Sequence, residues 1–166
     1  MFLPHPATAI AVGALSTITM DLGALLGSRV GIAGGGPRRT GPDLLGRWVG
    51  HIARGRFRHS DILQAAPMPG ELPLGFATHF SIGIVLALVY LWGLTAAGVS
   101  STLLTGLLYG AATTIFAWFL MFPAQGMGWR GAAAPAPTRL ARFSLYNHLI
   151  FGLGLALWTA ILHPMA

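Results

Sequence analysis

Four stretches of this chain are apolar with almost no interruption: residues 7–27, 74–97, 102–124 and 141–162. Each runs for about twenty residues, enough for a helix to cross ~30 Å of hydrocarbon. A soluble core of buried helices is the poorer reading of that pattern. Small residues recur every fourth position. Gly75, His79, Gly83 and Ala87 form one such stripe, and Ser144, His148, Gly152 and Ala156 another. Steps of four keep side chains on one helix face, and small-residue faces are where membrane helices approach closely. Ala9, Gly13, Thr17 and Asp21 continue the pattern in the first stretch, and Gly106, Gly110, Thr114 and Trp118 in the third. The prediction is an all-α integral membrane protein, a single domain over residues 1–166 built as a bundle of four spans. Asp21 falls inside the first apolar stretch, which has neither a basic leader nor a small-residue cleavage site. It reads as a mature helix, not a signal peptide.

Between the spans lie two long loops, 28–73 and 125–140. The first opens with GIAGGGPRRTGP, too rich in glycine and proline for a helix. Residues 43–54 return to a helical pattern with two faces. Leu44, Leu45, Trp48, Val49 and Ile52 make the apolar one, and Arg47, His51 and Arg54 the polar one. Two placements fit: a helix lying in the membrane interface with arginines toward anionic headgroups, or a helix packed beneath the bundle. A short helix capped by Ser60, with Asp61 in its first turn, is expected next. Pro123 should kink or end the third span. Tyr90 and Trp92 are expected toward the outer interface, with Trp158 and His163 at the outer surface.

Composition supports the membrane reading. Of 166 residues, 54% are hydrophobic and 8% charged, against about a quarter charged in soluble domains. Cysteine is missing, which excludes disulfides, thiolate catalysis and cysteine metal sites. The net charge of +6 arises from ten arginines and no lysine. All lie in or beside the two long loops. The positive-inside rule then places those loops in the cytoplasm and both termini in the periplasm. Arg47, Trp48, Arg54, Arg56 and Arg58 are candidates for binding anionic lipid or a partner subunit. Nucleic acid is the poorer reading of this charge, because the arginines flank spans and lack interleaved aromatics.

Two likenesses between the halves raise an internal repeat as one reading. GALSTI at 13–18 resembles GAATTI at 110–115, and HFSIGIVLAL at 79–88 resembles HLIFGLGLAL at 148–157. The repeat would make His79 and His148 symmetry mates. Chance likeness between apolar helices is the alternative, since leucine and alanine matches carry little information.

Candidate chemistry centres on Asp21, His79 and His148. Each lies about six residues inside its span, roughly 9 Å below the cytoplasmic boundary at ~1.5 Å per residue. A carboxylate there needs a partner. Arg142 and Glu71 complete the proposed polar centre, and Arg139, Tyr146 and Asn147 could line the approach to it. The centre could pin helices in register, relay protons as in a small transporter or carrier, or, through His79 and His148, ligate a haem or pigment metal. No metal-ligand spacing, nucleophile elbow, P-loop or dinucleotide fingerprint supports catalysis.

MDLGALL at 20–26, GRWVGH at 46–51, GRFRHSDI at 55–62, PGELPLGFATHFSIG at 69–83 and TRLARFSLYNHLIFGLGL at 138–155 resemble a bacterial family catalogued as domain of unknown function 2938. That resemblance implies an inner-membrane protein of about four spans, without assigning an activity. The reading that follows is a non-enzymatic accessory or binding subunit, joined to anionic lipids and to other membrane proteins or a second copy of itself.

Overall fold

A computed structural model describes residues 5–29 and 41–162. Its helices are α1 (Pro6–Arg29), α2 (Pro42–Ile52), α3 (Glu71–Ala97), α4 (Leu103–Ala124) and α5 (Pro137–Leu162). All but α2 are long and apolar enough to cross a membrane. The predicted spans are thus present, with α3 and α5 starting a few residues earlier than expected. Arg38, Arg39 and His163 lie outside the described residues.

The chain divides into two compact units. The first comprises residues 1–25, 80–113 and 146–166. Here the small-residue stripes act as predicted. A Cβ on Gly13 would meet the backbone of Gly83 and Ile84, and one on Gly110 the backbone of Gly152. These four glycines are the ones that the two likenesses in sequence pair, Gly13 with Gly110 and Gly83 with Gly152. Gly154 against Ser16 brings α5 onto α1, and the Tyr109 hydroxyl donates to the Leu86 carbonyl at 2.8 Å, tying α4 to α3. Ala9, Val12, Ala87, Tyr90, Leu91, Phe151 and Leu155 fill the space between. Two buried hydroxyls of α1 bond their own helix: Ser16 donates to Val12 O at 2.6 Å and Thr17 to Gly13 O at 2.8 Å. That satisfies them without another helix. Tyr90 is buried beside Ser101 and Thr105, whereas Trp92 is exposed.

The second unit comprises residues 26–79 and 114–145. α4 does not run straight to Pro123. Residues Ala117–Met121 widen into a π turn just before it. Proline lacks the N–H that would close the next α-helical bond, and a π turn is one way a helix absorbs that loss.

Candidate functional site

Among the described residues, all eight arginines belong to the second unit, together with Asp43, Asp61 and Glu71, whereas Asp21 is the first unit's one formally charged side chain. The chemistry-bearing side chains of the second unit gather around α2. Gly46 and Gly75 let α2 press against α3, since a Cβ on Gly46 would fall on the Glu71 carbonyl and one on Gly75 on that of Pro42. This approach places Arg47 beside Glu71. Nε donates to Oε2 at 2.9 Å and Nη2 to Oε1 at 2.8 Å, a bidentate pair. Nη1 reaches the Ile62 and Ala65 carbonyls at 3.4 and 3.3 Å, and the Met68 N–H donates to Glu71 Oε2 at 3.0 Å. Glu71 holds the Arg47 guanidinium above even the usual arginine pKa, chiefly through their hydrogen bond.

One turn on, His51 is buried as well. Its Nε2 faces the Ala66 carbonyl at 3.1 Å, and its Nδ1 faces His59 Nε2 at 2.7 Å. A carbonyl only accepts, so neutral His51 carries its proton on Nε2. His59 then donates from Nε2, leaving Nδ1 as a lone pair. That Nδ1 is buried without a hydrogen-bond partner. Burial, and next the neighbouring Arg56 charge, push the His59 pKa below its ordinary value and keep the ring neutral.

The loop that carries His59 is stitched to the end of α4. His59 N–H donates to Ala124 O at 2.8 Å and Ile62 N–H to Gln125 O at 3.0 Å, capturing carbonyls that a helix C-terminus leaves open. Gly126, at φ 85°, permits the approach, since a Cβ there would strike the Ser60 carbonyl. Asp61, not Ser60, caps the turn Ile62–Gln64 by accepting from Leu63 N–H at 3.0 Å. An aspartate carboxylate in extended backbone reaches that N–H without help from its neighbour.

Several sequence expectations are revised here. Arg47 and His51 were assigned to the outward polar face of α2, yet both are buried together with Leu44 and Trp48. The reason is partnership: Glu71 and the 59–66 loop supply what water would have supplied. Trp48 donates Nε1–H to Phe57 O at 2.8 Å and packs on Phe57, so it is an internal anchor. Within this unit α2 packs on α3. Arg54, Arg56 and Arg58 are exposed.

The five residues of the expected polar centre do not form one cluster within either unit. Asp21 and His148 belong to the first unit, and Glu71, His79 and Arg142 to the second. Asp21 is exposed, although its stripe mates Ala9, Gly13 and Thr17 are buried. Glu71 is committed to Arg47. Arg142 is exposed too. His148 lies in the first unit with Nδ1 2.8 Å from Thr113 Oγ1, a hydroxyl that also donates to Gly110 O at 2.7 Å. His148 Nδ1 therefore carries the proton. The intended centre overlooked Arg47, His51 and His59. The signal available for them was the four-residue step from Arg47 to His51 beside the buried Trp48; nothing in the sequence revealed the eight-residue link to His59.

Span-length apolar helices carrying a basic unit define a multi-pass, all-α membrane protein. A family model described as protein of unknown function (DUF2938) matches residues 10–162, and the chain belongs to that family. Neither a curated protein nor a solved structure matches it.

Proposed function

We propose that this protein is a non-enzymatic accessory or binding subunit of an assembly in the bacterial inner membrane. Its arginine-bearing unit faces the cytoplasm and engages anionic headgroups and partner subunits. The observation that carries this reading is the segregation of charge: among the described residues, eight arginines in one unit and none in the other. Such a distribution suits a surface meeting the negatively charged cytoplasmic leaflet, where each arginine contributes about 1 kcal/mol of attraction. The ionic pair and the histidine pair support it further. Each pair is bonded internally, and Arg47 and His51 also meet backbone carbonyls, which ties α2 to the 59–66 loop, while Arg54, Arg56 and Arg58 are exposed.

Purification in mild detergent followed by native mass spectrometry tests the proposal. A stoichiometric complex with another membrane protein, or a defined homo-oligomer, is the expected result. A monomer that drives proton- or ion-dependent flux in liposomes, with flux lost on altering Asp21, His79 or His148, would establish a carrier in its place.

A further inference from the structure

A groove in the second unit, near 470 Å³, lies where α4 ends and α5 begins. Trp118, Trp129, Arg130, Thr138, Arg142 and Leu145 are among its lining residues, and no acidic side chain is. Arg130 has the one positive φ found outside glycine among the described residues, at 55°, between Gly128 at 71° and Gly131 at 79°. A bulky residue held in the left-handed region is strained, and such residues cluster at ligand clamps. The conformation sets the Arg130 guanidinium 4.9 Å from the centre of the Trp118 ring. Trp118 belongs to the π turn, a distortion frequent at functional sites, and its buried Nε1–H has no hydrogen-bond partner. α5 adds an inverted charge pattern. Its first turn has no acidic residue but contains Arg139, and Arg142 follows one turn later. Cations at a helix N-terminus oppose the macrodipole, and an anion seated there relieves both.

We propose that this groove binds one anionic phospholipid, its phosphate held by Arg130 and Arg142. The inference rests on the reading of the second unit as the headgroup-facing part of the protein. Lipid is preferred to free phosphate for two reasons. The groove walls are mostly apolar, and the site lies at the junction of two span-length helices, hence at a membrane boundary. Trp129, 68% exposed, stacks edge-on against exposed Phe119 at 5.7 Å, an aromatic pair suited to the interfacial zone. The glycerol and upper acyl chain would lie along Trp118, Trp129 and Leu145.

The test uses delipidated full-length protein in neutral detergent and native mass spectrometry with phosphatidylglycerol or phosphatidylcholine added singly. One saturable phosphatidylglycerol, preferred at least tenfold, is expected. Arg130→Gly with Arg142→Gln should weaken it at least tenfold, and Trp118→Phe should weaken it while keeping the ring. Arg130→Gly suits the left-handed backbone, so misfolding is not expected to mask the result. Replacing Arg54, Arg56 and Arg58 with Gln should leave the selectivity intact. Equal retention of both lipids overturns the proposal, as does loss that follows the three loop arginines instead of the groove pair. Competition by millimolar inorganic phosphate, with groove tryptophan fluorescence responding to phosphate alone, also overturns it by identifying a free-anion site. Failure to find a partner subunit while lipid selectivity persists would count against the accessory-subunit reading and leave the groove assignment standing.

Discussion

Removing the Glu71 carboxylate should open the second unit around α2. The Arg47 and Glu71 side chains are 10% and 18% exposed, so the pair is largely shielded from water. With Glu71→Ala, Arg47 keeps only the carbonyls of Ile62 and Ala65, at 3.4 and 3.3 Å, too long to replace a bidentate carboxylate. Removing one partner of a buried ion pair costs about 3–5 kcal/mol, because the other charge is left desolvated. The lower end is expected here, since α2 can shift to admit water once the pair is gone. Glu71→Gln keeps one acceptor and should cost about 1.5–3 kcal/mol, the worth of a charge-assisted hydrogen bond. The double variant Arg47→Met with Glu71→Leu leaves neither charge and should lie close to wild type. Hydrogen exchange resolved to residues 59–68 measures this directly. A loss of about 3 kcal/mol raises the opening-limited exchange rate of those amides by roughly a hundredfold, at 1.4 kcal/mol per tenfold. Exchange in residues 80–95 serves as the internal control. If Glu71→Ala accelerates exchange less than about fivefold, or if the two single changes simply add in the double variant, the pair does not hold this loop.

His59 supplies a pH dependence. Its folded pKa is lowered, so the unfolded loop binds more protons and stability rises with pH. The contribution is complete above about pH 6.5 and is lost as pH falls below that value. Protection of residues 59–66 should therefore decline between about pH 7 and 5, and His59→Gln should flatten that decline. Gly152→Leu should disrupt the first unit, because even a Cβ there would fall on the Gly106 carbonyl. Overpacking of this kind costs about 1–3 kcal/mol and would show as a lower thermal midpoint in detergent. Thr113→Val removes the hydroxyl at His148 Nδ1 and should destabilise by about 1–3 kcal/mol, with the imidazole nitrogen chemical shifts recording the lost bond. The cysteine-free background allows a topology test. A cysteine in place of exposed Arg56 should resist an impermeant maleimide in intact cells, and one replacing Ser100 should react; the reverse pattern would place the arginine-bearing unit outside.

Much of the fold was legible because its causes are local. Span positions follow from runs of apolar residues that only a bilayer or a very large core could hide. Buried faces followed from small residues at steps of four: Gly13, Gly83, Gly110 and Gly152 are each buried where the stripes placed them. Asp21, one step past Thr17, is exposed, because periodicity gives a direction around a helix and not the degree of burial along it. A second difference lies on α2. Arg47 and His51 are polar by type, and a face is classified by type when partners are unknown.

Composition and spacing by themselves determined that this is a multi-pass helical membrane protein with its positive charge gathered beside the loops. Only tertiary structure decided which of those charges are buried. The burial of Arg47 depends on Glu71, twenty-four residues away, and that of His51 on His59 and Ala66. Hydrophobic burial is a property each side chain brings with it and can be read one residue at a time. Whether a polar group can leave water depends on a partner that only the folded chain supplies.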